Sequence, residues 1–240
     1  MPPETLIQLD SVNKDYQMGE VTVHALRDME LSLPAGVFTV LLGPSGCGKT
    51  TTLNLIGGLD RPTSGRVLVQ GRNIAVLGDK QLTGYRREQV GFIFQFFNLI
   101  PTLNARENVE FALALRKDQA EIKGRALELL DMVGLKDRSG HFPSQLSGGE
   151  QQRVAIARAL ANDSSVILCD EPAGNLDVET GRHVLSVLHD MIQDRGTTVI
   201  MVTHNTALAP MADSIVHIHD GSVASIEQND NPVDASQLEW

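Results

Sequence analysis

The chain has 240 residues, 42% of them apolar and 21% charged, which fits one medium-sized domain or two small ones, with enough apolar material for a buried core. Twenty lysines and arginines stand against 30 aspartates and glutamates, and the formal charge of −10 argues against a nucleic-acid partner. Two cysteines are too few for a disulfide scaffold, and no apolar run approaches the roughly 20 residues that span a bilayer. The opening Met1-Pro2-Pro3-Glu4-Thr5 has no basic stretch followed by an apolar one, so it predicts no secretory leader and a cytoplasmic location.

In chain order, residues 1–35 alternate in polarity and carry turn residues, and with Gly65–Gly71 they predict an antiparallel sheet. Phe38–Leu42 reads as a buried strand and Lys49–Gly57 as a helix. A strand at Val90–Phe94 leads into a helical subdomain over about 98–160, with helices at Asn104–Leu115, Gln119–Val133 and Gly149–Ala161. Strand Val166–Cys169, helix Val178–Asp194, strand Thr198–Val202, helix Thr206–Met211 and strand Ser214–His219 complete the pattern. This alternation predicts an α/β fold with a mainly parallel sheet. The domain should cover 1–228, leaving 229–240, rich in Asn, Asp, Gln and Ser, as a solvated tail.

Three segments carry chemistry. Gly43-Pro44-Ser45-Gly46-Cys47-Gly48-Lys49-Thr50 satisfies G-x-x-x-x-G-K-[ST] between an apolar strand and a helix, where inward-turned N–H groups and the helix N-terminus suit phosphate oxygens. In that setting Lys49 can reach the β/γ-phosphates and Thr50 can offer a hydroxyl to Mg²⁺. Val166-Ile167-Leu168-Cys169-Asp170-Glu171 is a buried strand ending in two acids, one placed for a metal shell and the other for a water proton. In Leu146-Ser147-Gly148-Gly149-Glu150-Gln151-Gln152-Arg153, the Ser147 to Glu150 spacing predicts a capping box that starts a helix, with Gly148 and Gly149 leaving N–H groups open to an anion.

Together these segments resemble the nucleotide-binding domain of ATP-binding cassette (ABC) proteins over about residues 5–225. The resemblance implies a P-loop NTPase cassette of the α/β class, with a mainly parallel core sheet, an antiparallel β subdomain and a helical subdomain. It implies ATP and Mg²⁺ as ligands. Gly43, Pro44, Ser45, Gly46, Cys47, Gly48, Lys49, Thr50 and Thr51 would bind nucleotide, and Tyr16 would stack on adenine. Thr50, Gln95 and Asp170 would hold the metal. Glu171 would be the catalytic base and His204 its switch histidine. Gly174-Asn175-Leu176-Asp177 looks like the D-loop. Ser147, Gly148, Gly149 and Glu150 would act in trans, on the nucleotide of a second subunit in an ATP-sandwiched homodimer.

Local wording, such as Gly57-Gly58-Leu59-Asp60-Arg61-Pro62-Thr63-Ser64-Gly65 and Gly91-Phe92-Ile93-Phe94-Gln95, is similar to the lipoprotein-release and macrolide-efflux group (LolD, MacB and FtsE types). Ala173 and Asn205 depart from that group, where Thr and Asp are usual. The group implies an integral membrane permease of the MacB, LolC or FtsX kind as partner, received beside the apolar run Phe92–Pro101, and a peripheral location on the cytoplasmic membrane face. An ABC importer subunit is the nearest alternative. A chromosome-structuring ABC protein would need a long insertion between Gly48 and Ser147, and a translation factor would need two cassettes. Cys47, inside the loop, predicts sensitivity to thiol reagents.

Overall fold

A computed structural model describes residues 5–115, 121–174 and 176–239. Strand β3, Phe38–Leu42, is buried along its whole length, as a central strand of a parallel sheet should be. The two-residue period divides its side chains between two apolar clusters: Phe38, Val40 and Leu42 enter one, and Leu41 enters the other. β3 pairs in parallel with β8 (Thr198–Thr203) and β9 (Ser214–His219). Beyond β8 lie β7 (Val166–Asp170) and β6 (Val90–Ile93), also parallel, while β10 (Ser222–Gln228) closes the far edge antiparallel to β9. The order is therefore β10-β9-β3-β8-β7-β6.

The antiparallel sheet forms where alternation placed it. β1 (Thr5–Met18) and β2 (Val21–Pro34) make a long hairpin, and β4 (Ser64–Val69) with β5 (Arg72–Asn73) extends it in the order β2-β1-β4-β5. Helix α1 (Lys49–Ile56) lies between the sheets, against β2 and β4 on one side and β7 and β8 on the other. Helices α3 (Ala105–Ala114), α4 (Ile122–Met132) and α5 (Gly148–Leu160) pack on one another, and α6 (Val178–Arg195) adds Val184, Leu185 and Leu188 to the same core.

Three details differ from the sequence expectations, and a few expected positions lie outside the described residues. Helix α2 (Asp79–Gln89) was not foreseen, because it buries only Leu82 and Tyr85 and shows no apolar periodicity. Of the helix expected over Gln119–Val133, positions 119 and 120 lie outside the described residues, as does Asn175 of the D-loop. Thr206–Met211 is a 3-10 segment, with Pro210 inside it and thus no α-type hydrogen bond from that position. The expected solvated tail is a correction: Ala235 and Leu238 are each 3% exposed and join the core. Composition hid this because these few apolar side chains stand among polar neighbours. Asn229 Nδ2 donates to the carbonyls of Pro210 and Ala212, and the Arg182 guanidinium donates to the Leu238 carbonyl. Trp240 lies outside the described residues.

Candidate active site

The chemistry-bearing segments leave the carboxyl ends of four adjacent parallel strands, where open α/β sheets place ligands. The Gly43–Gly48 loop follows β3, His204 follows β8, Glu171 follows β7, and Gln95 lies just past β6. Two glycines of the loop are fixed by space. A Cβ on Gly43 would stand 2.3 Å from the Ile218 carbonyl oxygen, and one on Gly48 would stand 2.7 Å from the Ala25 carbonyl oxygen. The loop is tied to the β9–β10 turn by the Gly221 amide donating to the Cys47 carbonyl (3.0 Å).

Lys49 is 7% exposed, and its ammonium donates to the carbonyls of Gly43 (2.7 Å) and Pro44 (2.9 Å). Its hydrogen bonds to oxygen go to backbone carbonyls, and the Asp170 carboxylate feels its charge through space. At the next residue, the Thr50 hydroxyl donates to Asp170 Oδ1 (3.1 Å), which brings the loop and the end of β7 together. Burial pushes the Asp170 carboxyl up, partly offset by the Thr50 hydrogen bond.

Glu171 sits at φ 49, the left-handed region that a non-glycine residue rarely adopts. Its carboxylate is clamped there. Oε2 accepts from the Thr203 hydroxyl (2.9 Å), and Oε1 accepts from the His204 backbone N–H (2.9 Å) and from the ring at Nδ1 (2.7 Å). An ionised Glu171 can only accept, so Nδ1 carries the proton and Nε2 is left on the exposed side of the ring. A cleft of about 360 Å³ opens here, lined among others by Glu171, Gly174, Thr203 and His204.

The other expected site residues stand apart from this cluster. No hydrogen bond joins Gln95 to Thr50 or Asp170. Asp177 caps α6, its carboxylate accepting from the Thr180 amide (3.0 Å), which holds it below the usual carboxylate range. Tyr16 donates its hydroxyl to Asp60 Oδ2 (2.7 Å). Ser147 and Glu150 form the expected capping box: the Ser147 hydroxyl accepts from the Glu150 amide (3.2 Å) and Glu150 Oε2 accepts from the Ser147 amide (2.8 Å). Glu150 Oε1 also lies 3.6 Å from Arg138 Nε, and none of these contacts reaches the phosphate loop of the same chain. An added Cβ on Gly148 or Gly149 would meet only ordinary contacts, so packing inside the chain does not require glycine at either place.

That capping box has a pH signature. The Ser147 amide is the main influence holding the Glu150 carboxyl below its ordinary value. A depressed carboxyl stabilises above its unfolded pKa of about 4.3 and loses that contribution as pH falls through the lower, folded value. Ser147→Ala should lower unfolding stability by about 1 kcal/mol at neutral pH. Glu150→Gln should flatten the acid limb of the stability curve, and urea denaturation at neutral pH and near pH 3 checks both.

The Cys47 expectation needs correction. Its side chain is only 5% exposed, packed in the core beneath the loop with Sγ against Gly43, so a thiol reagent meets little of it. Sequence reasoning missed Thr203, which sits unremarkably at the end of an apolar strand yet anchors Glu171. It also missed Arg158, whose guanidinium on α5 donates to the carbonyls of Phe97 and Asn98 just past Gln95.

Comparison with known proteins gives the family. Residues 26–174 match the family model described as ABC transporter. The chain belongs to the ABC transporter ATP-binding family. The cassette is 48% identical over 227 residues to an uncharacterised ABC transporter ATP-binding protein of Thermotoga maritima, covering 93% of this chain and 95% of that one. It is 46% identical to the macrolide export ATP-binding/permease protein MacB of Salmonella typhi, covering 91% of this chain but only 34% of that longer protein. Among solved structures, the dimeric, post-hydrolysis cassette MJ0796 with ADP and phosphate, named as a protein of Methanocaldococcus jannaschii, superposes with a TM-score of 0.89 at 43% identity. It covers 94% of this chain and all of that one. The fold is that of an ABC cassette, with its parallel core, antiparallel sheet and helices as the sequence implied.

Proposed function

We propose that the cassette binds and hydrolyses ATP as the cytoplasmic engine of an ABC transporter, working as a homodimer beneath a separate membrane permease. One observation carries the reading: a buried Lys49 ammonium held by loop carbonyls, the Thr50–Asp170 pair and the clamped Glu171–His204 pair meet at the carboxyl ends of β3, β7 and β8. Such a meeting of a cation, hard oxygen donors and a carboxylate suits a polyphosphate. The relatives support it, since MacB is named as ATP-binding and permease in one chain and the archaeal cassette is a dimer with ADP and phosphate.

The Thr50 hydroxyl and the Asp170 carboxylate are hard oxygen donors that fit Mg²⁺ with substrate phosphates and water completing its shell; Gln95 would approach from the end of β6. Bound Mg²⁺ would neutralise charge on the phosphate oxygens. Lys49 and the N–H groups of Gly43–Thr51 hold the β- and γ-phosphates. Glu171 takes a proton from the attacking water as its oxygen bonds to the γ-phosphorus, the bond to the β-bridging oxygen breaks, and ADP and phosphate result. His204 keeps Glu171 oriented through Nδ1, and when protonated at both nitrogens it can donate from Nε2 to the γ-phosphate.

Ser147, Gly148, Gly149 and Glu150 serve the nucleotide of the second subunit; glycines that no intrachain contact requires fit a ligand approaching from outside. No helix among the described residues is long and apolar enough to cross a membrane. The permease would dock at an apolar groove of about 550 Å³, lined by Phe92, Phe94, Phe111 and Leu115, with Arg86 and Arg158 at its polar edge. This groove borders the Gln95 segment, so docking and the nucleotide site share one loop.

Mixing two inactive chains tests the shared site. Lys49→Ala keeps its signature segment and Ser147→Arg keeps its phosphate loop, so a mixed dimer has one intact site and should regain part of the ATPase rate. Mixtures as inactive as the separate chains would contradict the reading.

A further inference from the structure

The surroundings of Tyr16 hold more than the nucleotide reading uses. β1 brings Lys14, Tyr16 and Met18 to one face of the hairpin, and the cross-strand partners of Tyr16 and Met18 are Val23 and Val21. Met18, Val21 and Val23 are all exposed. Lys14, in contrast, has only 12% of its side chain exposed. Its ammonium lies 4.7 Å from the centroid of the Tyr16 ring and donates to Asp60 Oδ1 (2.7 Å) and to the Arg61 carbonyl (2.8 Å). Asp60 Oδ2 accepts the Tyr16 hydroxyl (2.7 Å), and the Arg61 amide also donates to Oδ1 (2.7 Å). Asp60 is anchored in turn, its amide donating to the Asn54 carbonyl at 3.3 Å, so the whole group hangs from the phosphate-loop helix.

Burial, the largest single influence on Asp60, acts to raise its carboxyl. The hydrogen bonds from Lys14, Tyr16 and the Arg61 amide nevertheless hold it below the ordinary range, so it stays ionised at neutral pH. The ring is fixed at its hydroxyl with a cation over one face, yet Tyr16 is only partly buried and its cross-strand neighbour Val23 is exposed, which suits a ligand on the other face. The cation behind the ring also draws on its negative π-face, which favours stacking of an electron-rich purine on the other side.

We infer that Lys14 and Asp60 are positioning residues of the nucleobase subsite, locking Tyr16 so that its ammonium-covered face is turned away and its open face meets the base. This rests on the reading of Tyr16 as the platform for the base. The pair acts through Tyr16 and touches no phosphate, so its effect should be confined to ligands that carry a base.

Binding calorimetry with Mg²⁺ compares ATP with inorganic tripolyphosphate, which has the phosphates but neither base nor ribose. Asp60→Asn and Lys14→Met should each weaken ATP about five- to tenfold while tripolyphosphate changes less than about twofold, and Lys14→Arg, which keeps the cation, should stay near the parent. Equal weakening of both ligands would mean that the substitutions merely disturb the phosphate-loop helix, and unchanged ATP binding would mean that the lock does nothing; either overturns the inference. Tyr16→Ser separates the two layers. If it lowers the preference for ATP over tripolyphosphate but Asp60→Asn does not, the lock alone fails. If Tyr16→Ser leaves that preference unchanged, the platform reading fails as well.

Discussion

Glu171→Gln should reduce ATP turnover by about 10²–10⁴-fold, the usual contribution of a positioned general base, while ATP affinity stays within a few-fold of the parent. The substitution keeps the volume of the side chain and leaves Lys49, Thr50 and Asp170 untouched, so phosphate binding has no reason to fail. The proton acceptor is what disappears. Three donors converge on the Glu171 carboxylate, from the Thr203 hydroxyl, the His204 amide and the His204 ring. An amide can accept only at its oxygen, and the ring of His204 can adapt by exchanging tautomers, so the fold should survive. Single-turnover and steady-state assays with parallel binding measurements separate the two effects. Turnover near the parent rate would remove Glu171 as the base. Loss of binding together with turnover would place its role in holding nucleotide.

The second large effect is expected at Gly48. A methyl group there meets the Ala25 carbonyl oxygen and Leu26 Cδ2, each at 2.7 Å, at a backbone φ of +105 that L side chains rarely adopt. Backbone strain and overpacking together should cost about 3 kcal/mol, a fall of roughly 10 °C in melting temperature for a chain of this size. Relief requires the loop to move off β2, and loop amides displaced in that way should lose ATP by more than about 100-fold. Gly46→Ala is the control, since its φ is also positive but no atom lies within 4 Å of the added Cβ. It should show strain without crowding and retain most of its stability. Equal losses at both positions, by calorimetric melting and ATP titration, would contradict the steric account.

Much of this site is legible in the sequence because its parts are contiguous. Gly43–Thr50 states a strand, a loop and a helix start in eight letters, Ser147 and Glu150 announce their own cap, and the apolar strand before Asp170 and Glu171 fixes where the acids emerge. The antiparallel sheet and the parallel core were likewise readable from their periods. What escaped depends on residues distant in sequence or on faint apolar content. Lys14 and Tyr16 reach Asp60 across 46 and 44 positions, a meeting that only the packing of β1 against the turn after α1 creates. Thr203 holds Glu171 through the pairing of β7 with β8. Helix α2 buries two residues and the C-terminal segment two more, too few to outweigh polar neighbours in any window. Cys47 misled because a loop that receives phosphate reads as accessible, whereas its cysteine faces the core.

The central claim, that each nucleotide is enclosed by two copies of this chain, is tested most directly by the mass of Glu171→Gln in sedimentation with and without ATP and Mg²⁺. A hydrolysis-deficient chain should run as a monomer without nucleotide and as a dimer with it, and Gly148→Asp in the same background should remain a monomer because a carboxylate would face the phosphates. A Glu171→Gln chain that binds ATP yet stays monomeric, or a dimer indifferent to Gly148→Asp, would contradict the account.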